Sequence, residues 1–139
     1  MSDIRPGRPT DARYLTGLLG QLGYPSDLDA VTRRLTALLK SPTRQIMIAG
    51  PGDGYIEVER RLTLQHDERA EITGLAVDSR ARRSGIGRAL VNAAEEWAAG
   101  QGIHSLVVRS NVLRPESHPF YAGIGYERMT TSHNYRKEV

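Results

Sequence analysis

The sequence predicts a mixed α/β fold in which one sheet carries helices on both faces. Apolar residues recur at helical spacing over residues 12–39 and then alternate over residues 45–77, which indicates a change from helices to strands. The third strand of this region then runs through a glycine-containing turn directly into a long helical pattern. Strands and helices combined in this way are typical of a covered sheet. Because 139 residues with 39% hydrophobic content can close one core, we expect a single domain over 1–139.

Two amphipathic helices follow a short strand at Ile4-Arg5. Thr10 or Asp11 is placed to cap the first helix and Ser26 or Asp27 the second, because their side-chain oxygens accept the unpaired amide hydrogens of a first turn. Each helix carries one apolar stripe, which we expect to pack on the sheet. The stripes are Leu15, Leu18, Leu19 and Leu22 in the first helix, and Leu28, Val31, Leu35, Leu38 and Leu39 in the second.

The middle of the chain predicts three strands, Gln45–Ala49, Tyr55–Leu64 and Glu71–Val77, with turns at 50–54 and 66–68. Side chains alternate across a strand, so the second of these strands has an apolar and a polar face. The apolar face comprises Ile56, Val58, Leu62 and Leu64, and the polar face comprises Glu57, Glu59, Arg61 and Thr63.

The C-terminal half predicts a long helix, a strand, a short helix and a last strand. The long helix begins within residues 82–87, ends near Gly100 and buries a stripe made of Ile86, Leu90, Val91, Ala94, Trp97 and Ala98. We then expect a strand over Ser105–Arg109 with Leu106, Val107 and Val108 buried, a loop over 111–115, a short helix over Ser117–Ile124, and a strand that opens at Gly125-Tyr126.

The composition excludes several kinds of site. The chain has no cysteine, which excludes disulfides, thiolate zinc sites, iron–sulfur clusters and cysteine nucleophiles. The histidines show no metal-ligand spacing, so we expect no metal. Apolar runs of about five residues are far shorter than the roughly 20 that a membrane helix needs. The N-terminal residues offer no signal peptide, so we expect a cytoplasmic protein without a membrane partner.

The run Arg82-Arg83-Ser84-Gly85-Ile86-Gly87 predicts an anion site. A helix begins inside it, so the first amide hydrogens lack intrahelical acceptors and the helix dipole adds positive charge. The two glycines leave room for a ligand, and arginines at 82, 83 and 88 add full charges. These features favour a phosphate, most plausibly a diphosphate. The P-loop pattern is absent and the dinucleotide-binding pattern is incomplete, so neither of these nucleotide-binding motifs is indicated. The alternative interpretation is a turn that starts a helix and binds no ligand.

Two motifs in this order resemble the GNAT N-acetyltransferase superfamily. The first runs from Ala70 through Val77 to Leu90 and meets the family's diphosphate-loop pattern, Arg/Gln-x-x-Gly-x-Gly/Ala, at Arg82, Gly85 and Gly87. Many members have glycine where this chain has Arg83, which we interpret as a tolerated change at an unconstrained position. The second motif, Asn111, Phe120-Tyr121 and Gly125-Tyr126, is similar to the family's Asn…Phe-Tyr…Gly-Phe/Tyr segment.

The resemblance implies the GNAT fold, a mostly antiparallel sheet with splayed central strands, and an acetyl-CoA-dependent N-acetyltransferase. The CoA diphosphate would lie on the loop amides. The pantetheine arm would pair with the strand backbone at Leu75–Val77, and an amide near Leu75 would stabilise the oxyanion. The cofactor-binding residues so implied are Leu75, Ala76, Val77, Arg82, Arg83, Ser84, Gly85, Ile86, Gly87, Arg88, Ala89, Asn111 and Tyr121.

The resemblance also implies two catalytic residues. Glu71 matches the general base of several members, while an exposed strand-start carboxylate and a base acting through a water chain are the alternatives. Tyr121 matches the tyrosine that protonates the departing thiolate, with packing beside Phe120 as the alternative. Asn111 would hold pantetheine or its own loop. Because the chain lacks cysteine, we expect direct transfer in a ternary complex.

The sequence leaves the acceptor open. The resemblance implies a primary amine on a small molecule or a protein, and Glu57 with Glu59 either attracts a cationic amine or forms a solvated strand face. A non-catalytic acyl-CoA-binding module of the same fold is the alternative function. Nucleic acid is not expected as a partner because aromatic residues for base stacking are scarce at 6%. A homodimer through C-terminal strands also stays open.

Overall fold

The computed structural model describes residues 3–109 and 116–139. These residues fall into two units, one within 3–109 and the other within 116–139. The larger unit is a sheet covered by helices, and the smaller unit is a short helix followed by a segment without regular structure. Within the described ranges, every helix is too short or too polar to cross a bilayer.

Residues 3–109 form five strands and three α-helices. The strands are β1 (Ile4–Pro6), β2 (Arg44–Ala49), β3 (Gly54–Thr63), β4 (His66–Val77) and β5 (Leu106–Val108). The helices are α1 (Ala12–Leu22), α2 (Leu28–Leu39) and α3 (Ile86–Gly100), and short 3-10 turns at Pro9–Asp11 and Ser79–Ala81 precede α1 and α3. These strands and helices confirm the predicted elements of this part of the chain. The predicted turn at 66–68 is wrong, because the hairpin turns at 64–65 and His66 already belongs to β4.

The sheet has the order β1-β2-β3-β4-β5, in which the first four strands are antiparallel and β5 is parallel to β4. Along one edge β4 pairs with β3, with a register shift opposite Glu57/Val58 that leaves Thr73 as a bulge. Along its other edge β4 pairs with β5 only from Ala70 to Ile72. From Thr73 to Val77 that edge has no strand partner within the described chain, which is the opening expected of splayed central strands.

Helices cover both faces of the sheet, as predicted. Along β2, Ile46 and Ile48 join a core cluster with Leu15 of α1 and Leu35 of α2. The residues between them, such as Met47, point to the opposite face, which α3 covers. Fully buried side chains lie in both layers, and each contributes about 1.5–3 kcal/mol relative to an exposed position. The mixed α/β sheet with helices on both faces is thereby confirmed.

Local contacts explain how the helices are held. The Asp27 carboxylate caps α2 by accepting a 2.7 Å hydrogen bond from the Ala30 amide, as predicted. Asp11 occupies the cap position of α1 but makes no capping hydrogen bond. Its buried carboxylate instead accepts hydrogen bonds from both terminal nitrogens of Arg5, at 2.9 and 2.8 Å, and from the Tyr14 hydroxyl at 2.5 Å. This cluster ties α1 to β1.

Three expectations about apolar faces are wrong. Leu28, expected in the packed stripe of the second helix, is exposed at the first position of α2. Leu62 and Leu64 are exposed, because a second register shift at Arg61/Thr63 and the length of the β3–β4 hairpin carry its tip beyond the core. The three residues of β5 are each half-buried rather than buried. Their strand is the edge of the sheet within the described chain, so one side of it lacks a covering neighbour.

The smaller unit contains one helix, α4 (Ser117–Gly123), where a short helix was expected. Gly125 then turns the chain at a φ of +97°, and the Tyr126 amide donates to the Tyr121 carbonyl at 2.9 Å. The strand predicted from Gly125-Tyr126 is wrong: residues 124–139 form no strand. Residues 127–139 are mainly polar and lack the apolar alternation of a strand. The loop predicted at 111–115 lies outside the described residues.

Candidate active site

The loop that follows β4 is held in place by Asp78. Its carboxylate accepts hydrogen bonds from the Arg80 amide at 2.9 Å and from the Arg80 side chain at 3.0 Å, and the Gln21 side chain donates to it at 3.2 Å. These hydrogen bonds lower the pKa of Asp78 to about 2. Gln21 in turn accepts from the Ser79 amide at 2.9 Å, so α1 holds the start of the loop.

The predicted anion-binding turn forms the N-terminus of α3. Gly85 occupies the N-cap position with a φ of +84°, and the first intrahelical bond runs from the Ala89 amide to the Gly85 carbonyl at 3.0 Å. The amides of Ile86, Gly87 and Arg88 precede that bond, so they point out of the helix end. A Cβ placed on Gly85 would meet nothing within 4 Å. The turn therefore offers amide donors and open space to an anion.

Arg83 lies in the left-handed region with a φ of +64°. The interpretation of this position as unconstrained is therefore wrong. An L-residue at this φ is strained by its Cβ, whereas glycine adopts it freely, which explains why glycine suits the position in similar loops. The Arg83 side chain is exposed, as are those of Arg82, Ser84 and Arg88.

The edge of β4 that has no strand partner among the described residues leads directly into this turn. Leu75 and Val77 are half-buried on the strand, Ala76 is buried, and the Arg82 side chain reaches back to the Val77 carbonyl at 3.5 Å. Extended backbone with an open edge can pair with the amides of an elongated ligand as a further strand would. The strand edge and the anion-binding turn thus follow one another directly along the chain.

Glu71 is buried and ion-paired on both oxygens. One oxygen lies 2.6 Å from a terminal nitrogen of Arg61 on β3, and the other lies 3.4 Å from Nε of Arg109 beyond β5. The pKa of Arg61 is raised mainly by its hydrogen bond to Glu71. Arg61 also contacts Glu59, which pairs with Arg44 at 2.9 Å. The structure therefore places Glu71 within a row of alternating charges and not at an exposed strand start.

Sequence reasoning missed Arg61 and Arg109 as partners of Glu71. Alternation along β3 puts Arg61 on the same face as Glu59, but only the pairing register brings Arg61 and Glu71 together. The parallel β5 then carries Arg109 to the same place.

A second group missed by the sequence lies beside the β4 bulge. The ring of Tyr55 packs against Ala76 in the core cluster, and its hydroxyl oxygen would lie 2.7 Å from a Cβ on Gly74. Glu57 is the cross-strand partner of Gly74. Burial, then the charge of Glu57 and the nearby Tyr24, raise the pKa of Tyr55 to about 12, so its hydroxyl keeps its proton. The signal available in the sequence was a glycine inside a strand, which often marks a bulge or a close approach.

Tyr121, the predicted acid, lies in α4 of the smaller unit. Its ring contacts Phe120 and Tyr126 edge-on, with ring centroids 5.0 and 5.9 Å apart. Asn111 lies outside the described residues. Among the residues that the structure describes, no three His, Asp or Glu side chains gather in a group that could hold a metal ion.

Comparisons with known proteins agree with this geometry. The model of the acetyltransferase (GNAT) family matches residues 50–126. An aminoglycoside N(6')-acetyltransferase type 1 of Stenotrophomonas maltophilia is 28% identical over 132 residues, which are 89% of this chain and 85% of that protein.

Solved structures show the same fold. The aminoglycoside 6'-N-acetyltransferase AAC(6')-Ig of Acinetobacter haemolyticus superposes with a TM-score of 0.84 at 17% identity, over 99% of both chains. AAC(6')-Iy in complex with the bisubstrate analogue CoA-S-monomethyl-acetylneamine gives a TM-score of 0.86 at 20% identity, over 100% of this chain and 99% of that one. The fold expected from the resemblance is confirmed.

Proposed function

Because the chain belongs to the acetyltransferase (GNAT) family and takes acetyl-CoA as its co-substrate, we propose that it acetylates a primary amine of a small molecule directly, within a ternary complex. The observation that carries this proposal is the edge of β4 over Thr73–Val77, which has no strand partner among the described residues and leads into the amide-lined turn at Gly85. The names of the relatives favour an aminosugar of the aminoglycoside class as the acceptor.

The strand edge and the turn have the parts that acetyl-CoA requires. The turn would hold the diphosphate through the amides of Ile86, Gly87 and Arg88, with charge from the arginines around them. The backbone of Leu75–Val77 would pair with the two amides of pantetheine. This places the thioester near the β4 bulge, where a backbone amide near Leu75 would stabilise the oxyanion.

The reaction forms a C–N bond and breaks the C–S bond of the thioester. The amine must lose a proton before or during attack, and the departing thiolate must gain one. We propose Glu71 as the base. Since Arg61 and Arg109 occupy its two oxygens, it acts through a water chain. Tyr121 is proposed as the acid that protonates the thiolate, and Asn111 as a residue that holds pantetheine.

The experiment is acetyl transfer from acetyl-CoA to a panel of amines, read as release of CoA thiol. The panel comprises neamine, spermidine and a lysine-containing peptide. Because the chain has no cysteine, every thiol that appears comes from CoA. We expect turnover with neamine. Binding of acetyl-CoA without thiol release from any of the amines would contradict the proposal and favour a non-catalytic module.

Two variants test the assigned roles. Tyr121→Phe keeps the ring and removes the hydroxyl, so acetyl-CoA affinity should hold while kcat falls by about 100-fold or more. Glu71→Gln should lose activity mainly at low pH, because raising the pH supplies free amine without a base. Turnover of Tyr121→Phe at the parent rate would remove that residue from the mechanism. A Glu71→Gln deficit independent of pH would mean that Glu71 serves only its ion pairs.

A further inference from the structure

Tyr55 is a mostly buried residue, 7% exposed, whose hydroxyl makes no hydrogen bond to a described residue. That hydroxyl is not among the fully buried side-chain atoms that lack a partner, so it reaches the surface of the described residues. Its oxygen lies above Gly74, 2.7 Å from where a Cβ would stand. A phenol oxygen that reaches the surface and makes no hydrogen bond to the described residues can bind a group that arrives from outside.

Glu57 lies next to this hydroxyl and differs from the other carboxylates of its face. It is two residues from Tyr55 on β3, so the two side chains share a face, and it pairs directly with Gly74 across the ladder. Glu59 and Glu71 on the same face are both paired with arginines. No arginine or lysine of the described residues lies within ion-pair distance of Glu57, so its charge stays available.

The position of this pair relative to β4 decides what it can bind. Gly74 adjoins the bulge at Thr73, where the unpaired edge of β4 begins and where the thioester would end. Helices α1 and α2 cover this face around the ring of Tyr55, but Glu57 and Gly74 are only half-buried, so an acceptor can approach them from solvent. A carboxylate and a phenol oxygen together match the hydrogen-bonding needs of an ammonium group.

We infer that Tyr55 and Glu57 form the subsite for the acceptor's amine, over Gly74. The ammonium donates hydrogen bonds to the Glu57 carboxylate and to the Tyr55 oxygen, which orients its nitrogen toward the edge of β4. Gly74 is part of the subsite because any side chain there would displace the Tyr55 hydroxyl. The acceptors selected are therefore cationic primary amines. This inference rests on the proposed acetyl transfer.

The test compares Tyr55→Phe and Glu57→Gln, which keep the shapes of the two side chains. Steady-state kinetics are measured with acetyl-CoA and neamine or spermidine, whichever the parent protein acetylates. We expect the KM for the amine to rise about 10-fold or more in Glu57→Gln, through loss of a charged partner, and about 3- to 10-fold in Tyr55→Phe. The KM for acetyl-CoA should stay unchanged in both. Glu68→Gln is the matched control, because Glu68 lies on the neighbouring strand β4 and is paired with Arg60 at 2.9 Å, and the amine KM of this variant should stay within about twofold.

A double variant checks the position of the hydroxyl itself. Gly74→Ala should lower Tm because its Cβ would meet the Tyr55 oxygen at 2.7 Å. Gly74→Ala combined with Tyr55→Phe should recover part of that loss, since the closest remaining contacts would be ring carbons at 3.3 Å. In this double variant the KM for the amine should stay raised, because the Tyr55 hydroxyl is still missing.

The outcomes separate the subsite from the proposed function. If the parent protein acetylates an amine but the KM for that amine is unchanged in both Tyr55→Phe and Glu57→Gln, the subsite is wrong and the proposed acetyl transfer stands. If the parent protein acetylates no amine of the panel, the proposed function fails and the subsite fails with it. Absence of any recovery in the double variant would also overturn the placement of the hydroxyl over Gly74.

Discussion

Replacement of Arg83 by glycine should stabilise the protein and at the same time weaken acetyl-CoA binding. Arg83 has a φ of +64°, where an L-residue is strained by roughly 1–2 kcal/mol. Glycine removes that strain but loses about 0.5–1 kcal/mol through its greater freedom in the unfolded chain. The midpoints of these ranges give a net gain in the free energy of unfolding of about 0.75 kcal/mol, which corresponds to a rise in Tm of about 3 °C.

The same change removes a guanidinium from the rim of the anion-binding turn. Because the Arg83 side chain is exposed, solvent screens its attraction for a diphosphate, and such a pair contributes about 0.2–1 kcal/mol. The Kd for acetyl-CoA should therefore rise about 1.5- to 5-fold. Thermal unfolding is measured without ligand, so that binding does not add to Tm, and affinity is measured by calorimetry.

Arg83→Ala is the matched control. It removes the same charge but keeps a Cβ, so it should weaken binding equally without the gain in Tm. The reasoning about strain would be refuted if Arg83→Gly were no more stable than Arg83→Ala. Unchanged affinity in both variants would mean that this guanidinium does not reach the diphosphate.

Three further predictions concern the turn, the α1 cluster and the sheet. Gly85→Asp should abolish acetyl-CoA binding in a folded protein, whereas Gly85→Asn should bind acetyl-CoA more weakly than the parent. Both residues tolerate the φ of +84°, and only aspartate repels the diphosphate. Equal affinities of the two variants for acetyl-CoA in calorimetry would contradict this. Hydrogen bonds from Arg5, and then from Tyr14 and the Arg8 amide, lower the pKa of Asp11 from 3.8 to about 2. The carboxylate therefore stabilises the fold by about 2 kcal/mol above pH 4, and this contribution is lost as pH falls toward 2. In urea unfolding, the free energy of unfolding of Asp11→Asn should be lower than that of the parent at neutral pH, and the two values should converge in acid. Gly54→Ala should destabilise by about 2–3 kcal/mol in urea unfolding, since its Cβ would lie 2.8 Å from the Ala76 carbonyl, whereas Gly100→Ala in open space should not destabilise.

Local signals in the sequence were sufficient for most helices and strands and for the anion-binding turn. Capping at Asp27 and the start of α3 at Gly85 depend on a few neighbouring residues, and each lies where it was predicted. Such features can be predicted because the hydrogen bonds and backbone angles involved span only one turn of chain.

The expectations that failed depended on pairing between distant segments. The β3–β4 hairpin turns at 64–65 without a glycine or asparagine to mark it, so its register and the exposure of Leu62 were not predictable from spacing. The strand expected at Gly125-Tyr126 had no alternation of apolar residues in 127–139 to support it.

The sequence by itself determined the class of fold, the order of its elements and the turn that can receive a diphosphate. Only the tertiary structure decided which charges remain available on the sheet: the register of β3, β4 and β5 pairs Glu71 with Arg61 and Arg109, and leaves Glu57 unpaired within the described chain beside the hydroxyl of Tyr55. The physical reason is that a strand's own residues set its faces, whereas its neighbours' register sets the partners of each side chain.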